Sequence, residues 1–260
     1  MSNYYFGKGE YKDVLTCLST TKVNSYKTSS LPLADFWNPE KSRKLGLWLK
    51  KLQEEGVDII ESDRYFEYPT PCMNEGLLLP YSKPSMTDLM IINAEYQVAV
   101  EGKYTEYSES NYETIKDWNK RNEPHKTNIK NQWFNYIKAC GASEKSEVAD
   151  DIPYQFLHRT ASACYGCDVT GKTPVLLHQL FYDSENESKK NEFIEELKKW
   201  AGEIGFTEKI RFLIVEVEIK NIEEVRDKYD GIRSDLFLIM RESKEPIYKF
   251  DWKNIKISEV

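Results

Sequence analysis

Asp88, Glu101 and Lys103 interrupt two runs, residues 86–92 and 97–104, that otherwise carry no charge. Carboxylates set among apolar strand residues are costly unless they are paired or hold a metal. The two runs flank a short polar stretch at residues 93–96 and read as a β-hairpin. Side chains alternate along a strand, so Glu101 and Lys103 share one face while Val98, Val100 and Gly102 share the other. Asp88 comes alongside Glu101 if the pairing register allows it. Such a set suits phosphodiester hydrolysis. The carboxylates are hard oxygen ligands for Mg²⁺ or Mn²⁺. An ion of that kind polarises the phosphate and acidifies water, and the ammonium orients that water or stabilises the developing negative charge. The alternative is an ion pair at a hairpin end, with Lys103 neutralising Glu101.

Asp88 followed thirteen positions later by Glu101-Gly102-Lys103 resembles the signature of the PD-(D/E)xK nuclease superfamily, although Thr87 stands where that motif has proline. A second stretch, Tyr154-Gln155-Phe156-Leu157-His158-Arg159-Thr160-Ala161-Ser162-Ala163, extends the likeness to a bacterial branch of that superfamily, over about residues 67–183. The resemblance implies a restriction-endonuclease-like α/β fold, with a mixed central sheet flanked by helices, and metal-dependent cleavage of DNA. It assigns Mg²⁺ (or Mn²⁺) to Asp88 and Glu101 and water orientation to Lys103. It also implies that Gln155 turns toward the site and that Glu67, on the strand leading into the hairpin, adds a third carboxylate. An ordinary exposed strand residue is the alternative for Glu67. Arg159 either holds a phosphate or braces a carboxylate. A homodimer is compatible with cutting both strands. The rival class is a non-catalytic binding or assembly module with the same fold; a phosphohydrolase acting on nucleotides is a third.

The elements that must position these residues are legible in outline. A helix is expected over residues 39–55, with Asn38 as N-cap, Pro39 at its first position and Gly56 at its end. A strand ends at residues 66–69, and a Pro- and Gly-containing loop covers residues 70–84. Helices are expected over residues 112–120, 128–140 and 153–165, the first two within a helical insertion at about 111–140. In the last, Gln155, Arg159 and Ser162 share a face. Residues 173–182 form a buried strand, 187–202 a helix and 210–219 a strand, with Glu216 and Glu218 on the solvent side of a sheet edge. Residues 233–240 and 247–252 read as further strands. Tyr4-Tyr5-Phe6 is a short strand or an aromatic plug. One domain over residues 1–260 is the simplest division.

Lys116, Lys120, Arg121, Lys126 and Lys130, with His125 among them, make the most basic run; Lys126 and Lys130 are candidate phosphate contacts, or members of a solvated face matched by acids. Net charge is −7, which argues against a generally basic nucleic-acid coat. No segment has the apolar length of a membrane span, and the N-terminus lacks a signal-peptide pattern, so a cytoplasmic protein is the expectation. Five cysteines, an odd number with a single C-x-x-C at Cys164 and Cys167, fit reduced thiols. Gly166 to Thr173 formally fits G-x-x-x-x-G-K-[ST], but a helix precedes it and a strand follows, the reverse of a phosphate loop, so ATP binding is not expected.

Overall fold

The hairpin is the middle of a mixed sheet. The computed structural model describes residues 4–6, 9–11, 14, 25–39, 42, 44–71, 73–74, 77–78, 84–107, 113–120, 124–142, 153–204, 209–231, 236–243 and 245–260. Among them the strands are β1 (Tyr4–Phe6), β2 (Gly9–Tyr11), β3 (Asp63–Thr70), β4 (Met73–Asn74), β5 (Leu77–Leu78), β6 (Ser85–Ile92), β7 (Tyr96–Lys103), β8 (Thr173–Tyr182), β9 (Arg211–Glu218) and β10 (Lys256–Glu259). Eight of them form one sheet in the order β10-β9-β8-β7-β6-β3-β1-β2, while β4 and β5 pair as a separate ribbon. The pairs β3–β6 and β6–β7 are antiparallel, and β7–β8 and β8–β9 are parallel. Asn93 makes the hairpin turn: its side-chain oxygen accepts the N–H groups of Glu95 and Tyr96 at 2.9 and 2.8 Å, so the local side chain does the work of a backbone turn partner.

The described helices are α1 (Ser30–Phe36), α2 (Leu45–Glu54), α3 (Ile115–Lys120), α4 (Pro124–Ala139), α5 (Tyr154–Cys164), α6 (Cys167–Thr170), α7 (Glu187–Ile204), α8 (Ile222–Tyr229) and α9 (Leu236–Glu242). They cover both sheet faces. On one face Phe36, Trp48, Val225 and Met240 pack with Val100, Val175 and Phe181; on the other Trp133, Phe156, Phe193 and Trp200 pack with Ala99, Leu176 and Phe212. This is a mixed α/β protein with a helical layer on each side of its sheet. Parallel strands buried on both faces read as continuous apolar runs, and β8 is buried at nine of its ten positions.

Several expected elements differ. The helix begins at Leu45, because Asn38 and Pro39 make a separate turn in which Ser42 N–H donates to the Asn38 carbonyl at 2.8 Å. Residues 30–36 are helical despite Pro32; in the first turn a missing N–H removes no helical bond. Residues 236–242 are helix, not strand: Leu236 and Met240, four apart, are the buried pair, which is the helical period. β9 is not an edge, because β10 covers it, and Glu216 pairs with the buried ammonium of Lys190. Residues 247–252 contribute one isolated bridge, Phe250 to Ile219. Among the described residues no helix is long and apolar enough to cross a membrane.

Candidate functional site

The β6–β7 ladder runs from Ile92 opposite Gln97 to Leu89 opposite Val100 and stops there. One step further in the same register stand Asp88 and Glu101. In place of the next ladder bond, the Asp88 carboxylate accepts the Gly102 N–H at 2.9 Å. On the other flank of β6, Phe66 pairs with Leu89 and Tyr68 with Thr87, which leaves Glu67 across from Asp88. β8 continues the row, with His178 beside Glu101. Glu67, Asp88, Glu101 and His178 therefore lie at one level across four adjacent strands. Gly102 faces the other way, where a Cβ would meet Leu33 and Ser29 at 3.5 Å, so α1 closes tightly behind the site.

α5 supplies the rest. Gln97, at the start of β7, donates to the Ser162, Ala163 and Tyr165 carbonyls at 3.2, 3.0 and 2.9 Å. These are the carbonyls a helix C-terminus leaves without internal donors. That cap sets α5 along β7 so that Arg159 and Gln155 stand over Glu101 and Lys103. The Arg159 Nε–H donates to Glu101 Oε2, and its other nitrogens reach the Met86 carbonyl, Ser85 Oγ at 3.3 Å and Asp88 Oδ1 at 3.9 Å. Lys103 Nζ lies 3.0 Å from Glu101 Oε1 and donates to Gln155 Oε1 at 3.3 Å. Arg159 thus braces a carboxylate, one of the two roles open to it.

The electrostatics divide the two carboxylates. Burial pushes Glu101 up, but the Arg159 and Lys103 charges outweigh it and hold the group down to about 2. Burial, then the Glu101 charge, raise Asp88 to about 7 against the pull of Arg159, Lys103 and the Gly102 N–H. The Asp88 side chain is 26% exposed and Glu101 only 5%, so water reaches the less compensated group. Glu67 is also raised, by burial first. Its φ of 50° makes it the one non-glycine residue at positive φ among those described, a conformation that marks functional or strained positions.

His158 is structural in its contacts. Its Nδ1 shares a 2.6 Å hydrogen bond with Ser85 Oγ, and its ring packs against Tyr154 and Trp133. Burial lowers its pKa well below the ordinary value, which keeps it neutral. Lys172 of the phosphate-loop lookalike donates to the Asn93 carbonyl at 2.6 Å, and residues 167–170 form a single helical turn between Gly166 and Gly171, both at positive φ. Lys120 pairs with Asp117 at 2.9 Å. Lys130 is half-buried on α4, and Lys126 has only its backbone described. Asp88, Glu101, Lys103, Gln155 and Arg159 are joined by direct contacts, and Glu67 enters through its charge.

Sequence reasoning missed Ser85, Gln97 and His178. His178 is 1% exposed, both its ring nitrogens lack a hydrogen-bond partner, and burial drives its pKa down to about 3. Only the parallel β7–β8 register brings it to Glu101, and spacing along the chain carries no trace of that. Among the described residues no three His, Cys, Asp or Glu side chains converge to hold a metal ion. Asp88 and Glu101 are the two carboxylates that could serve as ligands. They fit a hard divalent cation by donor chemistry, and Asp88 Oδ1, with its nearest cation at 3.9 Å, is the oxygen least committed to the protein.

Fold and site together define a mixed α/β protein with a carboxylate–guanidinium cluster where its central hairpin opens. A family model described as a domain of unknown function, DUF6946, matches residues 10–225, and the chain belongs to that family. No curated protein and no solved structure matches it.

Proposed function

We propose that this protein is a metal-dependent nuclease with a restriction-endonuclease-like core, hydrolysing DNA phosphodiester bonds at the open end of the β6–β7 hairpin. The observation that carries the reading is the contact set of Asp88, Glu101, Lys103, Gln155 and Arg159, with Asp88 raised to about 7 beside a Glu101 held at about 2. Carboxylates driven apart in this way are a mark of working sites. Asp88 and Glu101 would hold Mg²⁺ or Mn²⁺; the chemistry such an ion supplies is Lewis-acid polarisation of the phosphodiester and acidification of water. Lys103 orients the attacking water and offsets negative charge developing on the phosphoryl oxygens. Gln155 fixes the Lys103 ammonium from the helix side. Arg159 holds Glu101 ionised and, standing 3.9 Å from Asp88 Oδ1, would leave that oxygen available to a cation.

One observation favours a second reading. Arg159 and Lys103 already supply two positive charges to Glu101 and Asp88, so a non-catalytic module could keep the cluster as a fixed ion-pair network. A cleavage assay separates the two. It uses supercoiled plasmid and single-stranded DNA with Mg²⁺, Mn²⁺ or EDTA, beside Glu101→Ala and a calorimetric Mn²⁺ titration. Metal-dependent cutting that disappears in Glu101→Ala supports the nuclease. No cutting together with no Mn²⁺ uptake overturns it in favour of the module.

A further inference from the structure

α3 is tied to the start of α5, and the aromatic side chains of the helices meet there. The Tyr154 N–H donates to the Glu113 carbonyl at 3.0 Å, and Thr114 and Pro153 form an isolated bridge. Trp118 lies against Tyr154, with ring centroids 5.9 Å apart and planes 13° from parallel. Behind them Trp133 stands 5.5 Å from Trp118 and 5.3 Å from His158, and His158 stands 5.1 Å from Tyr154. The rear pair is buried, at 6% exposure each, whereas Trp118 and Tyr154 are partly exposed. Two links fix this cluster to the candidate site. Gln155, next to Tyr154, accepts from Lys103 Nζ at 3.3 Å, and the Ser85 hydroxyl joins His158 Nδ1 to Arg159.

We propose that Trp118 and Tyr154 form a stacking subsite for an unpaired nucleobase, and that the strand bound at the open end of the β6–β7 hairpin is single-stranded DNA. The inference deepens the nuclease reading and rests on it for the fate of the bound strand. Inside a duplex both faces of a base are covered by its neighbours, so a base meets a protein ring face only when it is unpaired or extruded. Proteins that hold single strands combine aromatic faces for the bases with positive charge along the backbone.

The segment that carries Trp118 supplies both. Residues 116–130 include five basic and two acidic side chains in a chain of net charge −7. Lys116 and Lys120 are exposed on α3, with Asp117 2.9 Å from Lys120. This charge is local, which suits one strand crossing the site rather than a duplex lying on a broad basic face. Tyr154 stands one residue from the side chain that holds Lys103, so a base on the ring pair belongs to a nucleotide beside the phosphate at the site.

The test is fluorescence anisotropy on the whole chain in EDTA, so that no metal-dependent cutting intervenes. The probes are labelled oligothymidylate and a blunt duplex of the same length. The wild type should bind the single strand about tenfold more tightly than the duplex, and the single strand should quench its tryptophan fluorescence. Trp118→Leu and Tyr154→Leu, checked for folding by circular dichroism, should each weaken single-strand binding about tenfold and leave duplex binding unchanged. The quench should vanish in Trp118→Leu. Trp118→Phe, which keeps an aromatic face, should retain most of the affinity. A wild type that fails to bind the single strand, or binds both probes equally, overturns the proposal. So does wild-type single-strand binding by Trp118→Leu; if plasmid is still cut in the assay above, that result leaves the nuclease reading standing. Single-strand binding that depends on Trp118 in a protein that cuts nothing would support the subsite and count against catalysis.

Discussion

Asp88 sits where two requirements conflict. On the proposed reading it would have to be ionised to hold a cation, yet burial and the neighbouring Glu101 charge raise it from 3.8 to about 7. Between those values the unfolded chain has released its proton while the folded chain keeps it, so this group lowers stability as pH rises through the window. Asp88→Asn removes that dependence and still accepts the Gly102 N–H. Urea unfolding at a series of pH values should therefore show the variant gaining on wild type between about pH 4 and pH 7. The gain is about 2 kcal/mol, since one unit is worth about 1.4 kcal/mol and the exposed part of the side chain keeps its hydration. Equal curves for the two proteins would mean that Asp88 is not raised. Glu101 works in the opposite sense: its stabilisation is present above 4.5 and is lost only as pH falls through about 2. Glu67 poses a backbone question instead. A left-handed conformation costs a residue with a Cβ about 1–2 kcal/mol, and a β-branched side chain tolerates it least. Glu67→Gly should leave the urea midpoint unchanged or higher, whereas Glu67→Val should lower stability by about 1–2 kcal/mol. A destabilised glycine variant would show that the carboxylate, rather than the turn of the chain, is what the fold needs there.

Gln97 couples the hairpin to α5, and the prediction that follows concerns the helix as a unit. Three carbonyls at the α5 C-terminus accept from one side-chain amide, and of these Ala163 has a second donor in the Cys167 thiol; a buried carbonyl left without a donor costs about 1–3 kcal/mol. Gln97→Leu keeps the volume and removes the donor. It should lose about 1–3 kcal/mol in urea unfolding and speed amide exchange in the last turn of α5; unchanged exchange would mean that packing alone seats the helix. The same pair of elements marks what is legible along the chain. Asp88, Glu101 and Lys103 stand out because charge inside an apolar alternation is expensive, and Gln155 and Arg159 share a helical face by simple periodicity. Gln97, Ser85 and His178 were illegible because their partners lie 65, 73 and 77 residues away along the chain (Ser162, His158 and Glu101). Residues 236–242 misled for another reason. A short apolar run is consistent with a strand or a buried helix until flanking packing decides, and here Leu236 and Met240 both turn to the core.

Across the whole molecule, the most consequential misreading was of the sheet's end. Glu216 and Glu218 alternate with apolar residues, the pattern of a half-solvated edge, yet β9 is an interior strand. The residues that cover it, Lys256 to Glu259, are too few and too polar to announce a strand. β10 pairs with β9 through four residues, and Val260 N–H adds a bond to the Phe212 carbonyl at 3.1 Å. Arg211 ties this end to the helical layer: it binds the Glu259 carboxylate and the Glu55 and Gly56 carbonyls behind α2 at 2.7–2.8 Å. Lys51 of α2 reaches the Ile255 carbonyl just before the strand. The final strand thus closes the sheet and holds α2 against it. Deleting residues 256–260 should uncover the backbone of β9 beside Leu213, Ile214 and Val215, and an unpaired strand of that composition is a template for association. The truncated chain should unfold at lower temperature and form larger species as its concentration rises, followed by light scattering. Glu259→Ala, which removes only the partly exposed ion pair, should cost less than about 1 kcal/mol and remain monodisperse to the same extent as wild type. If the point variant aggregated as readily as the truncation, the Arg211 ion pair rather than strand cover would be what protects β9.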